Sequence, residues 1–309
     1  MDNSSRRCGV AVIVPVFNRP TILVETLSVV MAQSLLPDEL IVVDDGSTDD
    51  TALRAEEWLS AHADEVCWSV FKMPKAGAAK ARNFGFSRMG DMDYVVFLDS
   101  DDHWPIDFLE RCVQLLESNP NAVAATTERR YRLLLDEPTQ SSGGLEMVSA
   151  PIPWMFRHGA GITSCSLLRS SVVREVGAWP QKAMCEDTEL FCLLSLHGKW
   201  VFAEGAPVVF NLGSAAERNE ECNLSRKYAD RETLWARRLE EIYQKLAALD
   251  PSIELASLKA SLSCRWYRAG KYHRKVHERA VARNCFLRAI RWQPLNVKYW
   301  RRWLQLKLR

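Results

Sequence analysis

The chain has 309 residues, of which 47% are apolar, 26% charged and 9% aromatic, a balance that excludes a disordered tail, a collagen-like fibre or a small disulfide scaffold. The net charge of +1 hides a division: residues 264–309 hold 14 lysines and arginines against one acid, Glu278, a surplus of +13 that leaves −12 for residues 1–263. Nine cysteines without a CxxC spacing, no run of roughly 18 apolar residues and a start, MDNSSRRCGV, without a secretory leader predict reduced thiols and a cytoplasmic protein with no spanning helix.

In chain order, VAVIVPV (10–16), ELIVV (39–43), VCWSVF (66–71) and DYVVFL (93–98) are short β-branched apolar runs, continuous enough for parallel strands buried on both faces. Between them, 21–33, 50–62 and 78–89 carry apolar residues at helical spacing, with Thr21 or Asn18 as a start signal for the first. Strand and helix in alternation predict right-handed βαβ units in an open, doubly wound sheet, where ligands bind beyond the carboxyl ends of the strands. Residues 136–161, rich in Ser, Gly and Pro, read as loops over a site. A strand near 162–168, helices over 170–176 and 186–197, and strands near 200–203 and 207–211 complete this part. From about 222 the pattern is helical to the end. This places a domain over 1–220 and a helical extension over 221–309.

Strand ends are where chemistry is expected. After the first comes PVFNRP (15–20), in which Pro15 and Phe17 suit the faces of a flat base, with Asn18 beside them. After the second comes DDGSTDD (44–50). Asp44 and Asp45 have no helix to cap at a sheet end and so read as ligand-binding acids, whereas Asp49 and Asp50 suit a helix N-terminus. FLDSDD (97–102) puts three carboxylates in four residues. They repel one another unless a cation lies between them, and hard oxygen donors suit Mn²⁺ or Mg²⁺. Asp102 reads as either a third acid of that group or a cap for a helix beginning near Pro105. GAAKARNFGF (77–86) opens a helix at which Lys80 or Arg82 would meet a diphosphate. In MCEDTELFCLL (184–194), Glu186, Asp187 and Glu189 are either macrodipole partners or, beside a nucleotide sugar, the source of a general base.

VIVPVFNR, IVVDDGSTDD, GAAKARNFGF, FLDSDD and CEDTEL, in this order and with ITSCSLLRSSVVREVGAWP (162–180) before the last, resemble an inverting family 2 glycosyltransferase of bacterial type and GT-A fold over roughly residues 10–212. The resemblance implies an α/β fold with a mostly parallel, Rossmann-like sheet. It implies that Pro15, Phe17 and Asp45, with Asp44 beside them, hold the donor's base. Arg82 would lie near the diphosphate. Asp99 and Asp101 would form the DxD motif, with Ser100 between them, the first toward ribose and metal and the second toward metal. Asp187 would be the catalytic base, supported by Glu186. The implied donor is a nucleoside diphosphate sugar, with UDP expected, and the acceptor a glycan or lipid-linked hydroxyl, as in cell-surface polysaccharide synthesis. Lys75 stands where many members have Asn, and no QxxRW follows Asp187, the nearest sequence being NLSRKY (223–228). That departure speaks against a processive polymerase.

Rival readings are a nucleotidyltransferase, which would need a glycine-rich phosphate loop where PVFNRP has no glycine, and a non-catalytic adaptor, which has no use for Asp99, Asp101 and Asp187. In the extension, Trp266, Gly270, Ala282, Phe286, Ala289 and Pro294 reproduce tetratricopeptide spacing over about 263–296, and Trp300 follows Trp266 by 34 residues. This is a helical hairpin packed on the body or a docking surface. The basic, Trp-rich residues 264–309 are expected to meet an anionic membrane surface, peripherally on its inner face, a partner protein, or the acidic body itself. Nucleic acid is the weakest of these partners.

Overall fold

A computed structural model describes residues 8–131, 143–182, 184–210, 230–252 and 255–307. The first half follows the expected alternation: β1 (Val10–Val16), α1 (Pro20–Met31), β2 (Glu39–Asp44), α2 (Thr51–His62), β3 (Cys67–Lys72), α3 (Ala78–Arg88) and β4 (Tyr94–Phe97). β1 is buried and apolar throughout, β2 is buried and apolar from Leu40 to Val43, and β1 pairs in parallel with both β2 and β4. β3 pairs in parallel with β2 but is half-exposed along its length, because it is an edge strand rather than one buried on both faces.

Beyond β4 come β5 (Asp102–His103), α4 (Phe108–Glu117), β6 (Ala122–Tyr131), α5 (Gly144–Ser149), α6 (Pro151–His158), a 3-10 turn (Thr163–Cys165), β7 (Ser166–Arg169), α7 (Ser170–Glu175), α8 (Glu186–Leu194) and β8 (Lys199–Phe210). Among the described residues the strands form one sheet in the order β3-β2-β1-β4-β7-β6-β8-β5. β7 runs antiparallel to both β4 and β6, and β8 runs parallel to β6. The result is a mixed sheet whose first half is parallel.

Several expectations are corrected. Residues 143–158, expected as loops, form α5 and α6, with Met147, Ile152, Trp154, Met155 and Phe156 buried. Pro151 sits in the first helical turn, where a missing N–H costs nothing. Residues 136–142 lie outside the described residues. The two short strands near 200–203 and 207–211 are one, β8, which runs through Gly205; residue 211 is not described. β6, ending in polar AATTERRY, was not expected at all. α1 begins after Arg19 without a side-chain cap, so neither Asn18 nor Thr21 starts it, and α8 stops at Leu194. Asp102 belongs to β5 and α4 begins at Phe108, so Asp102 caps no helix.

The helical extension comprises α9 (Arg231–Leu249), α10 (Leu255–Lys275), α11 (Arg279–Trp292) and α12 (Val297–Lys307). Leu239, Ile242, Tyr243, Leu246, Leu258 and Leu262 join the main core, so α9 and α10 pack as part of the α/β body. A second cluster around Trp266, Phe286 and Tyr299 holds α10, α11 and α12 together. Gly270 faces Phe286 so closely that a Cβ would stand 2.7 Å from its ring. That close approach is the packing reason for the repeat-like Gly and Phe spacing. The domain boundary near 220 and NLSRKY lie outside the described residues.

Candidate active site

The carboxyl ends of β1 and β2 are sewn together by the residues that follow them. Asn18, held at φ 51, donates its N–H to Ser47 Oγ at 2.8 Å and accepts from the Thr48 N–H at 2.9 Å. Gly46, at φ 79, lies against Lys75, where a Cβ would come within 2.6 Å of the Lys75 backbone nitrogen. Ser47 therefore ties the two loops together. Asp44 is fully buried; one oxygen accepts from the Ser47 N–H at 2.7 Å, and Oδ2 has no partner among the described residues. Asp45 accepts from the Ala76 N–H at 2.7 Å and the Gly77 N–H at 2.9 Å. It thus fixes the turn that starts α3.

Pro15 lies inside β1 opposite Val43, whereas Phe17 emerges half-exposed with the Lys75 ammonium 3.2 Å from its ring centroid. A cation on an aromatic face is a favourable contact in itself. Of the two candidates on α3, Lys80 is exposed and Arg82 is buried. Arg82 stacks 4.3 Å from Trp179 and donates to Asp99 at 2.5 Å, while its Nε has no partner among the described residues. Asn83, next on the helix, holds Trp179 by two hydrogen bonds, to its carbonyl and from its N–H.

Asp99 and Asp101 each face an arginine. The Asp99 N–H donates to Ser164 Oγ at 3.1 Å, and Asp101 pairs with Arg19 at 2.9 Å. Ser100 joins the same arginine: its Oγ accepts from Arg19 at 3.2 Å, and its carbonyl accepts from Thr26. Burial pushes the Asp101 carboxyl up, as does the charge of Asp99, and Arg19 only partly offsets them. Asp101 is therefore only partly compensated. Two neighbouring hard carboxylates fit Mn²⁺ or Mg²⁺, which bind few protein ligands and keep waters or phosphate oxygens. No group of three or more potential ligand side chains occurs among the described residues, so the remaining ligands would have to come from donor and solvent.

Glu186 and Asp187 open α8 just after Cys185, whose backbone is left-handed at φ 58. Asp187 accepts from the Gly161 N–H at 3.0 Å and the Thr188 N–H at 2.6 Å. Burial and the Asp187 charge push the Glu186 carboxyl up; Arg82 acts against this and Asp99 with it. Glu186 therefore lies within electrostatic reach of Arg82 and Asp99, while Lys80 stands exposed on α3 and Ser100 shares Arg19 with Asp101.

The family description Glycosyl transferase family 2 matches residues 11–177. The chain belongs to glycosyl transferase family 2. TuaG of Bacillus subtilis (strain 168), named for teichuronic acid biosynthesis, is 36% identical over 130 residues, which are 42% of this chain and 49% of TuaG. The chain thus spans about half the length of that relative. TarS 1–349 of S. aureus in complex with UDP-GlcNAc superposes with a TM-score of 0.68 at 16% identity, over 92% of this chain and 81% of TarS 1–349. A mannosyltransferase from Pyrobaculum calidifontis, in complex with GDP-Man and Mn²⁺, gives 0.58 at 17% identity over 92% of this chain and 76% of its own. These likenesses carry the fold, which is the GT-A arrangement expected, with helices α9 to α12 added.

In this family 2 chain the contributors that sequence reasoning missed are Arg19, Ser164, Trp179 and Gly161. Three of them act through neutral or backbone groups, which leave no mark in composition. Arg19 was detectable: the acids of FLDSDD require cations, and NRP supplies one at the adjoining strand end.

Proposed function

We propose that the protein is a non-processive, inverting glycosyltransferase that moves a sugar from a nucleoside diphosphate sugar to a hydroxyl of a glycan or lipid-linked acceptor in cell-surface polysaccharide synthesis. The observation that carries it is Arg82, buried on Trp179 and bonded to Asp99 just beyond β4 of a GT-A sheet, with the charge of Glu186 within reach of both. TuaG's name supports the polysaccharide class, and the complex of TarS with UDP-GlcNAc supports UDP as the nucleotide.

In this reading the catalytic unit is 1–220 and 221–309 is its helical extension. Phe17 and Asp45, with Pro15, Asn18 and the buried Asp44 beside them shaping the loop, hold the nucleoside. Arg82 meets the diphosphate through the donor hydrogens that Asp99 does not take, and Lys80 and Ser100 border the donor. Asp99 and Asp101 would hold Mn²⁺ or Mg²⁺, which supplies positive charge to the leaving diphosphate; the Mn²⁺ in the Pyrobaculum enzyme supports this choice. Asp187 accepts the proton of the acceptor hydroxyl as its oxygen bonds to the anomeric carbon and the carbon–diphosphate bond breaks on the opposite face. The products are an inverted glycoside, a nucleoside diphosphate and a proton left on Asp187. The basic extension would seat the enzyme peripherally on an anionic membrane, where lipid-linked acceptors are presented.

Titration calorimetry with UDP-, GDP- and dTDP-sugars, with and without Mn²⁺, tests the reading. A UDP-sugar that binds only with metal is the expected outcome. Binding of none of them in either condition would overturn it.

A further inference from the structure

We propose that Arg238, on the helical extension, is a positioning residue for the catalytic base, so that α9 and α10 are part of the active site's frame. The inference rests on Asp187 being that base. Arg238 is buried and grips α8 on both sides of the acid pair. Its Nη2 donates to Glu189 Oε2 at 2.5 Å, two residues after Asp187, and its Nε donates to the Met184 carbonyl at 3.2 Å, two residues before Glu186. Lys245 takes the other Glu189 oxygen at 2.8 Å, and Glu241 of α9 holds Arg238 Nη1.

Between those two grips lies Cys185 in the left-handed region. A side chain there costs of order 1 kcal/mol and persists only where neighbours hold it. The hydrogen bond from Arg238 to the adjoining carbonyl is such a restraint. Without it Met184 and Cys185 would relax, and the first turn of α8, which carries Glu186 and Asp187, would turn with them.

The extension also braces the strand of chain that faces Asp187. Arg265 of α10 is buried, stacks 3.7 Å from Trp235 and donates to the Arg157 carbonyl at 2.9 Å, while Trp235 packs on Gly159. Ala160 then donates to Thr188 Oγ1 at 3.2 Å and Gly161 to Asp187. Both walls around the base carboxylate are thus pinned from the same pair of helices. A misplacement of about 1 Å at a reacting group costs about 10²-fold in rate, which is the effect such a brace prevents.

Three variants in the full chain test this, Arg238→Met, the double variant Glu189→Met with Arg238→Met, and Asp187→Asn, read by turnover, donor KM, melting temperature and hydrogen exchange. Arg238→Met is expected to lower kcat by about 10-fold or more with donor KM nearly unchanged, and to speed exchange at the Gly161 and Thr188 amides but not in β1 or β4. The double variant removes both buried charges and regains melting temperature, yet leaves the Met184 carbonyl ungripped, so kcat stays low. Normal kcat in Arg238→Met, recovery of kcat together with stability in the double variant, or faster exchange confined to α9 and α10 would each overturn the proposal. Undiminished turnover in Asp187→Asn would instead overturn the assignment of the base, and the exchange result would still report whether the brace exists.

Discussion

Arg82 lies between Asp99 and Trp179, one face of its guanidinium on the indole and one nitrogen on the carboxylate, with Nε left without a partner among the described residues. A buried arginine so held is pre-organised for an anion, since its orientation is fixed before a diphosphate arrives. Arg82→Met is expected to lower kcat/KM for the donor by about 10² to 10³-fold, the scale of one preorganised electrostatic donor. Arg82→Lys recovers little of it, because an ammonium neither forks nor stacks in the same way. Calorimetric UDP affinity that is unchanged in Arg82→Met would refute the role.

Asp187 and its neighbour separate by chemistry. Asp187→Asn keeps the hydrogen-bonding outline but cannot take a proton, so kcat falls by about 10² or more while donor binding persists. Glu186→Gln is milder, because Glu186 only shapes the field around Asp187. Single-turnover measurements with saturating donor resolve the two, and equal losses in both variants would show that the base has been misassigned.

Asp101 is raised by burial and by Asp99 despite its bond to Arg19, so removing the acid also frees the arginine. Asp101→Ala is expected to abolish the Mn²⁺ dependence of donor binding, and excess chelator to do the same to the unmodified protein. Full transfer in chelator would place the reaction outside this mechanism. Arg19→Gln, in contrast, should leave a metal requirement intact, since it removes a competitor for Asp101 rather than a ligand.

Much of this was legible because the parallel half of the sheet writes itself in unbroken apolar runs, and each run ends in a motif. Val10–Val16 and Leu40–Val43 are apolar and buried throughout, so composition alone marked them. β6 was invisible because its Thr126, Thr127 and Arg129 break the apolar pattern; the buried Thr126 hydroxyl is satisfied by the Cys165 carbonyl, a tertiary contact that local sequence does not encode. α5 and α6 were obscured by Gly143, Gly144, Pro151 and Pro153, which occupy helix starts rather than loops. The roles of Glu189 and Arg238 required the structure, because 49 residues separate them.

Glu189 gives a pH signature for the contact between α8 and α9. Burial alone would push its carboxyl up, but the hydrogen bonds and charges of Lys245 and Arg238 overrule it and hold the folded value below the ordinary one. A depressed carboxylate contributes stability that is present above its unfolded value and lost as pH falls through its folded value. Arg238→Met is therefore expected to lower the melting temperature most near neutrality, with the difference from the unmodified protein shrinking as pH falls below the ordinary glutamate range. A difference independent of pH would mean that the pair contributes by packing alone.

The last prediction concerns where the enzyme works. No helix among the described residues is long and apolar enough to cross a membrane, but α12 carries two apolar faces. Tyr299, Trp303 and Leu306 pack on the second core cluster, while Val297, Trp300 and Leu304, following Leu295, stand 77%, 41%, 45% and 92% exposed. Arg268, Lys271, Arg274, Lys275, Lys298 and Arg301 are exposed on the same extension, and the buried acid Glu189 takes its two cations from α9 instead. Charge beside an apolar, Trp-bearing stripe suits an anionic lipid surface better than a nucleic acid, which offers leucine and valine nothing to stack on. Each cation at such a surface contributes on the order of 1 kcal/mol, so a handful suffice for reversible attachment. Flotation with phosphatidylcholine vesicles, with and without phosphatidylserine, checks it. Binding should require the anionic lipid, weaken with salt, and be lost both in Trp300→Ser with Leu304→Ser and in Lys298→Glu with Arg301→Glu. Attachment that survives the serine pair but not the charge reversals would assign the surface to a polyanion other than lipid, and attachment indifferent to phosphatidylserine would remove the membrane from the account altogether.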